Sequence, residues 1–424
     1  MESNAMGRVQ RLRRLMADEG LDAVVLTTSH NVLYAAGYRS VLEKWQLHEP
    51  LAAAIVPVDP DKPVILAIPE ANLALLMLQE EAGKPDRAGE IRVFDMINFC
   101  EVMRSEDPVA AASTIGQESV KLYGARVRGR CEPDILSSIR AALTDHGLDA
   151  VRVGFDDLRV MHRLAATGMG FTGSDALETL IRSRLVKTEP EIETFRRVGK
   201  VGDKALRAAA DALRPGVLWD DVQHAVADAM VRMDATPVDE GAMLFGGTFR
   251  GGFIPELFRT RGNRPLDVGQ IVILETQGVC EDVWIDINRT AVIGEPTAEY
   301  QRLHDTLRDA FEAMVARLRP GCFTGELPRI AHDHLRAAGV PVPDKLLVLA
   351  HGIGHMTLEF PFEFPAQGRA GAVGFELEEN MVISLDCLYF GGELGPCHME
   401  NVYIIGNDGA ECTYATPLEL LGPR

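Results

Sequence analysis

Glu275 and Asp286 stand eleven positions apart in the stretch ETQGVCEDVWIDINRT (275–290). Strand-forming residues lead into each of them, IVIL before Glu275 and VWI before Asp286. Between them, Cys280, Glu281 and Asp282 mark the tip of a β-hairpin near 280 and 281. Folding at that tip sets Glu275 opposite Asp286, and like charges directly opposite on paired strands are destabilising. A second strand pair, MVISLDCLYFGGELGPCHMENVYIIG (381–406), carries Asp386 on one strand and Glu400 on the other. Four carboxylates at one centre repel. At an effective dielectric of about 20, each close pair costs about 4 kcal/mol. A shared proton removes part of that charge, and divalent cations, one or two of them, remove more. The imidazole that could join them is His351, in LAHGIGHMTLEFP (349–361). Carboxylates with an imidazole suit manganese, iron, cobalt or zinc. His351 and His355 have the spacing of a helical zinc site, but Gly352 and Gly354 argue against a helix, and the Glu of His-Glu-x-x-His is missing. The two histidines are therefore read as separate residues.

The elements that must position these groups fall into two parts. Over 7–19, Val9, Leu12, Leu15 and Met16 recur at helical spacing, and AVVLT (23–27) then reads as a strand. AAAIVPV (52–58) and VILAIP (64–69) are further strands, followed by a helix over 70–82. Alternation of this kind predicts an α/β domain with a mixed sheet over 6–184. Beyond it, Pro190 and Glu191 start a long helix and a second follows over 219–233. The string Leu213-Arg214-Pro215-Gly216 returns as Leu318-Arg319-Pro320-Gly321. Each copy closes one amphipathic helix, precedes another, and is followed by a hairpin with one carboxylate on each strand. The repeat predicts a domain over 185–424 built from two similar halves that bring their hairpins to a shared centre.

Bulk properties narrow the setting. The chain has 424 residues, 46% of them hydrophobic and 25% charged, and a net charge of −19. The acidic balance argues against a nucleic-acid partner, and no apolar run reaches the roughly 20 residues of a membrane span. The charged start, MESNAMGRVQRLRRLM, does not read as a signal peptide. Seven cysteines, an odd number with no Cys-x-x-Cys, suit a reduced cytoplasmic protein.

The order Glu275, Asp286, His351, Asp386, Glu400 resembles the metal-binding series of the creatinase/prolidase/aminopeptidase P superfamily, which reads Asp, Asp, His, Glu, Glu. Asp286-Ile-Asn-Arg-Thr290, His351-Gly-Ile-Gly354, Met381-Val-Ile-Ser-Leu-Asp386 and the junction Arg184-Leu-Val-Lys-Thr-Glu-Pro-Glu-Ile192 carry the resemblance, which runs the length of the chain. It implies an α+β protein: an N-terminal α/β creatinase-like domain, then a pita-bread domain with a pseudo-twofold, curved antiparallel sheet. It also implies a metal-dependent hydrolase in which those five residues hold one or two divalent cations and Glu359, which keeps the family's carboxylate, is a general acid or base. His355, four positions after His351, is read either as a proton shuttle or as a plain loop histidine, and His398, two before Glu400, either as a partner that orients Glu400 or as a structural histidine.

Several positions depart from the family pattern. The first and fourth ligands are Glu and Asp where the peptidases have Asp and Glu. Phe258 and Leu358 stand where the peptidases place histidines that handle the peptide. The resemblance thus implies an Xaa-Pro dipeptidase-like enzyme whose substrate is a dipeptide or a small polar or zwitterionic amide. Two other readings stay open. One is a metal-poor enzyme acting by acid–base chemistry, as in creatinase or the dimethylsulfoniopropionate lyases. The lyases share Trp45-x-x-His48-x-Pro50 and an aromatic residue at 258, but keep an Asp where this chain has Gln277. The other is a binding protein without catalysis. In the family, the region holding Arg39, Trp45 and His48 reaches into the partner subunit's site, which implies a homodimer.

Overall fold

The computed structural model describes residues 4–40, 49–73, 76, 79, 88–96, 125–238, 247–248, 265–340, 343–359, 374–390 and 394–422. Trp45, His48 and Phe258 lie outside the described residues. The chain divides into two compact units, Met1–Ser183 and Arg184–Arg424. Among the described residues no helix is long and apolar enough to cross a membrane.

The first unit is built on a six-stranded mixed sheet. Its strands are β1 (Ala23–Leu26), β2 (Ala53–Pro57), β3 (Ile65–Pro69), β4 (Glu90–Phe94), β5 (Arg152–Phe155) and β6 (Thr172–Asp175), ordered β4-β3-β2-β1-β5-β6. β1 runs antiparallel to β2 and parallel to β5. The strands β1 to β4 are buried throughout, which is why β1, β2 and β3 read as continuous apolar runs rather than alternating ones, while β4 (EIRVF) buries Glu90 and Arg92 as an ion pair. Period two divides their side chains between two cores. Val24, Leu26, Val56 and Leu66 pack with Leu12 and Met16 of α1 (Asn4–Asp18). Val25, Ile55 and Ile65 pack on the other face with Ile139 of a helix over Ile135–Asp145. Arg39 is half-buried and follows a helix, Ser29–Ala36, that Gly37 ends in the left-handed conformation.

The second unit opens with a helix, Glu189–Ala212, started by a reciprocal cap between Thr188 and Glu191 with Pro190 in the first turn. Helices Trp219–Val231, Ala298–Val315 and Leu327–Ala337 follow. The sheet comprises β7 (Thr236–Pro237), β8 (Gly247–Thr248), β9 (Ile271–Cys280), β10 (Val283–Val292), β11 (Leu346–Gly352), β12 (Val382–Tyr389), β13 (Cys397–Ile405) and β14 (Ala410–Cys412). All its described pairings are antiparallel, in the order β11-β12-β13-β10-β9-β7, with β8 on β9 and β14 on β13.

The internal repeat is visible bond by bond. Gly216 and Gly321 both take positive φ, at 80° and 81°. Their N–H groups donate to Leu266 and Leu377 carbonyls at 2.7 and 2.9 Å. Gly269 donates to Ile293 at 2.7 Å, and Asn380, also at positive φ, donates to Ile405 at 2.8 Å. Each half has its own core, one under the first helix pair and one under the second. The pseudo-twofold axis runs between β10 and β13, where Asn288 pairs with Glu400.

Candidate metal centre

The first hairpin turns at Glu281 and Asp282, whose φ values are 50° and 64°. Two residues at positive φ make the two-residue turn that matches strand twist. The tip therefore lies beyond 280–281, and the register follows it: Glu275 faces Asn288, and Asp286 faces Gln277. Glu275 and Asp286 share a face of the sheet but are diagonal neighbours, and the expected head-on pair does not form. A neutral amide stands opposite each carboxylate, which relieves the repulsion. In the second hairpin the carboxylates do meet directly, Asp386 against Glu400. Across the pseudo-axis, Glu275–Asn288 corresponds to Asp386–Glu400. The counterpart of Asp286 is thus His398, and that of Glu400 is Asn288.

Glu275, Asp286, His351, Asp386, His398 and Glu400 are all buried. Gln277 Nε2 donates to Glu275 Oε1 at 3.2 Å and to Asp286 Oδ1 at 2.9 Å. Asn288 Nδ2 donates to Glu275 Oε2 at 2.7 Å. Thr357 donates to Asp286 Oδ2 at 2.9 Å, and Ser384 to Glu400 Oε1 at 2.7 Å. His398 spans two carboxylates, with Nδ1 3.4 Å from Glu275 Oε2 and Nε2 3.0 Å from Asp386 Oδ1. His351 Nδ1 lies 3.0 Å from the Gly352 carbonyl. A carbonyl only accepts, so Nδ1 carries the hydrogen and Nε2 faces inward, 3.3 Å from Asp386 Oδ2 and 3.9 Å from Glu400 Oε1. Behind the centre, buried Arg289 donates to the Asn288 and Glu400 carbonyls at 2.6 and 2.8 Å, which fastens both strands at the axis.

Burial dominates the electrostatics. It pushes Glu275 and Glu400 well above the usual carboxylate range, and the neighbouring Asp286 and Asp386 charges add to the effect. Asp286 is pushed up to about 6, by burial first, with His351 opposing and Asp386 adding. For Asp386 burial acts in the same sense, but hydrogen bonds from His351 and His398 outweigh it and hold the group well below its ordinary value. Burial would lower His351, yet the Asp386 hydrogen bond and charge raise it.

These donors fit a divalent cation. Glu275, His398 and Glu400 bring ligand atoms within 4.8 Å of one another, and so do Asp286, His351 and Glu400. Glu400 Oε2 is buried and accepts no hydrogen bond among the described residues, so it has an unused lone pair at the junction of both triads. Asp386 belongs to neither triad; its oxygens lie against the two histidines.

The loop after His351 is held separately. Glu359 is buried with Lys187 Nζ at 3.1 Å and Arg184 Nε at 3.4 Å, and its carboxylate accepts from the His355 N–H at 3.1 Å. Burial would raise this carboxyl, but the two cations outweigh it and bring it to about 2. A group ionised throughout the neutral range is a poor proton shuttle, so the proton-handling role expected of Glu359 does not suit its surroundings. His355 Nδ1 lies 2.9 Å from the Asp282 carbonyl, which ties the ring to the hairpin tip. Leu358 is 40% exposed. Gln277, Asn288, Thr357, Lys187 and Arg184 are not picked out by residue type alone. Gln277 and Asn288 each lie two positions after a carboxylate, and that same-face parity is the signal available in sequence.

The model for "Metallopeptidase family M24" matches residues 193–407, and that for "Creatinase/Prolidase N-terminal domain" matches residues 8–198. The chain is 27% identical over 410 residues to the Probable dipeptidase PepE of Mycobacterium tuberculosis, covering 96% of this chain and 93% of that protein. It is 21% identical over 415 residues to the Xaa-Pro dipeptidase of Pyrococcus furiosus, covering 98% and 99%. Among solved structures, the Xaa-Pro dipeptidase from Bacillus anthracis superposes with a TM-score of 0.72 at 18% identity over 99% of both chains. Dipeptidase PepE from Mycobacterium ulcerans gives 0.68 at 20% identity over 99% of this chain and 98% of that one. These likenesses show the shared fold. With half of its length inside the catalytic-domain model and the carboxylate–imidazole centre in place, the chain belongs to metallopeptidase family M24.

Proposed function

We propose that this protein hydrolyses a dipeptide or a small, polar, dipeptide-like amide, with Asp286, His351, Asp386, Glu400 and Glu275 holding one or two divalent cations. That it is a metal-dependent hydrolase of the Xaa-Pro dipeptidase type follows from its family and from the dipeptidase relatives. The observation that carries the finer reading is the buried cluster itself, with Glu400 Oε2 unengaged between two ligand triads. A divalent cation at such a centre supplies Lewis acidity, polarising a carbonyl and making water a stronger acid. The chain's own groups do the rest. The Gly352 carbonyl orients His351, Ser384 orients Glu400, and Thr357 orients Asp286. Glu359, held by Lys187 and Arg184, fixes the loop that carries Thr357. Leu358 and Phe258, apolar where the peptidases resembled have histidines, favour a small substrate over a longer peptide. Arg39, Trp45 and His48, supplied by the partner of a homodimer, would bind its polar groups.

The test is elemental analysis of protein purified without chelator, alongside a panel of Xaa-Pro dipeptides and small amides assayed with manganese, cobalt or zinc. At least one cation per chain and cation-dependent turnover are expected. Trace metal and no response to any of the three would overturn the reading. One observation favours a second reading: the four carboxylates already find hydrogen-bond donors within the protein. A metal-poor acid–base enzyme would keep full turnover of a zwitterionic substrate in excess chelator.

A further inference from the structure

We infer that the Gln277 side chain occupies the place of a cation between Glu275 and Asp286, so that each chain takes a single divalent cation, at Asp286, His351 and Glu400. The inference rests on the reading above that this centre binds divalent cations.

Gln277 faces Asp286 across the hairpin. Its Nε2 has two N–H groups and two acceptors, Glu275 Oε1 at 3.2 Å and Asp286 Oδ1 at 2.9 Å. Turning the amide over would set a third oxygen against two carboxylate oxygens, so the nitrogen belongs there. A cation shared by Glu275 and Asp286 needs oxygens at about 2.0–2.2 Å. It would occupy the space the amide nitrogen fills, and the two cannot coexist. Neither ligand triad unites Glu275 with Asp286 among the described residues; Glu275 enters only the one with His398 and Glu400.

The rest of Glu275 is equally engaged. Its Oε2 takes the Asn288 amide at 2.7 Å and lies 3.4 Å from His398. Both nitrogens of His398 face carboxylates, Nδ1 towards Glu275 and Nε2 towards Asp386, whereas His351 gives Nδ1 to the Gly352 carbonyl and presents only Nε2 to the centre. On the opposite side of the axis, His351 keeps Nε2 facing inward and Glu400 keeps Oε2 unengaged. The neutral amides of Gln277 and Asn288, with the His398 imidazole, thus do for Glu275 what a second cation would do, and of the four carboxylates only Glu400 keeps an oxygen without a donor among the described residues.

The experiment is calorimetric titration of manganese alone into the full-length, chelator-stripped protein, with elemental analysis after dialysis. Gln277→Glu, which replaces the donor amide by a ligating carboxylate of the same shape, and Gln277→Ala, which empties the position, are titrated alongside. Wild type should take one manganese per chain and Gln277→Glu two. Circular dichroism melts establish that the variants are folded, and the wild-type count stands by itself if one variant is not. Two manganese per wild-type chain, or no gain in either folded variant, overturns the inference. No cation in wild type but one in Gln277→Glu supports the role of Gln277 in excluding a cation while sinking the metal-dependent reading, so the two failures are distinct.

Discussion

At the scale of single residues, the same burial gives neighbouring carboxylates opposite fates. Asp386 has an imidazole at each oxygen and stays ionised, whereas Glu275, Glu400 and Asp286 are pushed toward protonation. This has a consequence for stability in the cation-free protein. The folded value for Asp286 is about 6 against 3.8 for the free group. The folded state therefore binds the extra proton, and the associated stability is present below about pH 4 and is lost as pH rises through 6. Chemical denaturation of chelator-stripped protein should show a loss of about 3 kcal/mol from Asp286 over that window. Saturating manganese should flatten it, because the cation takes over from the proton. A stability that instead rises with pH from 4.5 to 7 in the stripped protein would contradict this. Glu359 offers a second test. Its side chain and those of Arg184 and Lys187 are at most 4% exposed. Glu359→Gln leaves two buried cations with a neutral partner and should cost about 3–5 kcal/mol in urea unfolding. A proton-shuttling Glu359 would instead lose kcat with stability nearly unchanged.

At the scale of elements, the helix Glu189–Ala212 sets the height of the first hairpin over the core. Gly199 and Gly202 face the C-terminal segment, where a Cβ on Gly199 would strike the Thr413 carbonyl and one on Gly202 would sit 2.7 Å from Tyr414. Tyr414 in turn accepts the Asp286 N–H at 3.0 Å. Close approach of this helix is thus linked to the position of a ligand strand. Gly199→Ala meets backbone, which cannot rotate aside, and should cost about 1–3 kcal/mol. The same substitution should weaken cation binding in calorimetry, because β10 must shift with the segment it is bonded to. Unchanged affinity in a folded Gly199→Ala protein would show that the strand is anchored by Arg289 and the sheet ladder alone.

At the scale of the whole molecule, the proposed homodimer makes the site composite, with Arg39 supplied in trans. Arg39→Ala should then reduce turnover at least tenfold, a loss of about 1.4 kcal/mol in transition-state binding, without changing metal content. Mixing it with His351→Ala should restore part of the activity, since one site of each heterodimer keeps both intact contributions. Full activity from a protein that light scattering shows to be monomeric at micromolar concentration would rule this out.

Sequence by itself determined the ladder of elements and the residues that converge. Helical period, strand runs and the repeated Leu-Arg-Pro-Gly announce a domain of two halves, because each feature depends on residues close in the chain. The four carboxylates were legible because each lies on a strand of a recognisable hairpin, and His351 because the string His-Gly-Ile-Gly resembles the family's. What parity leaves open is register. Moving the hairpin tip by one residue shifts the pairing by two, and every side chain keeps its face while its partner changes. The twist of the paired strands chose the turn at Glu281 and Asp282, and that choice put Gln277 opposite Asp286 and Asn288 opposite Glu275. Only the tertiary structure could set Lys187 and Arg184 against Glu359, residues 172 and more positions away. A carboxylate read as a proton carrier in sequence is a fixed anion in the fold, because its ionisation depends on charges that the chain brings together only when it packs.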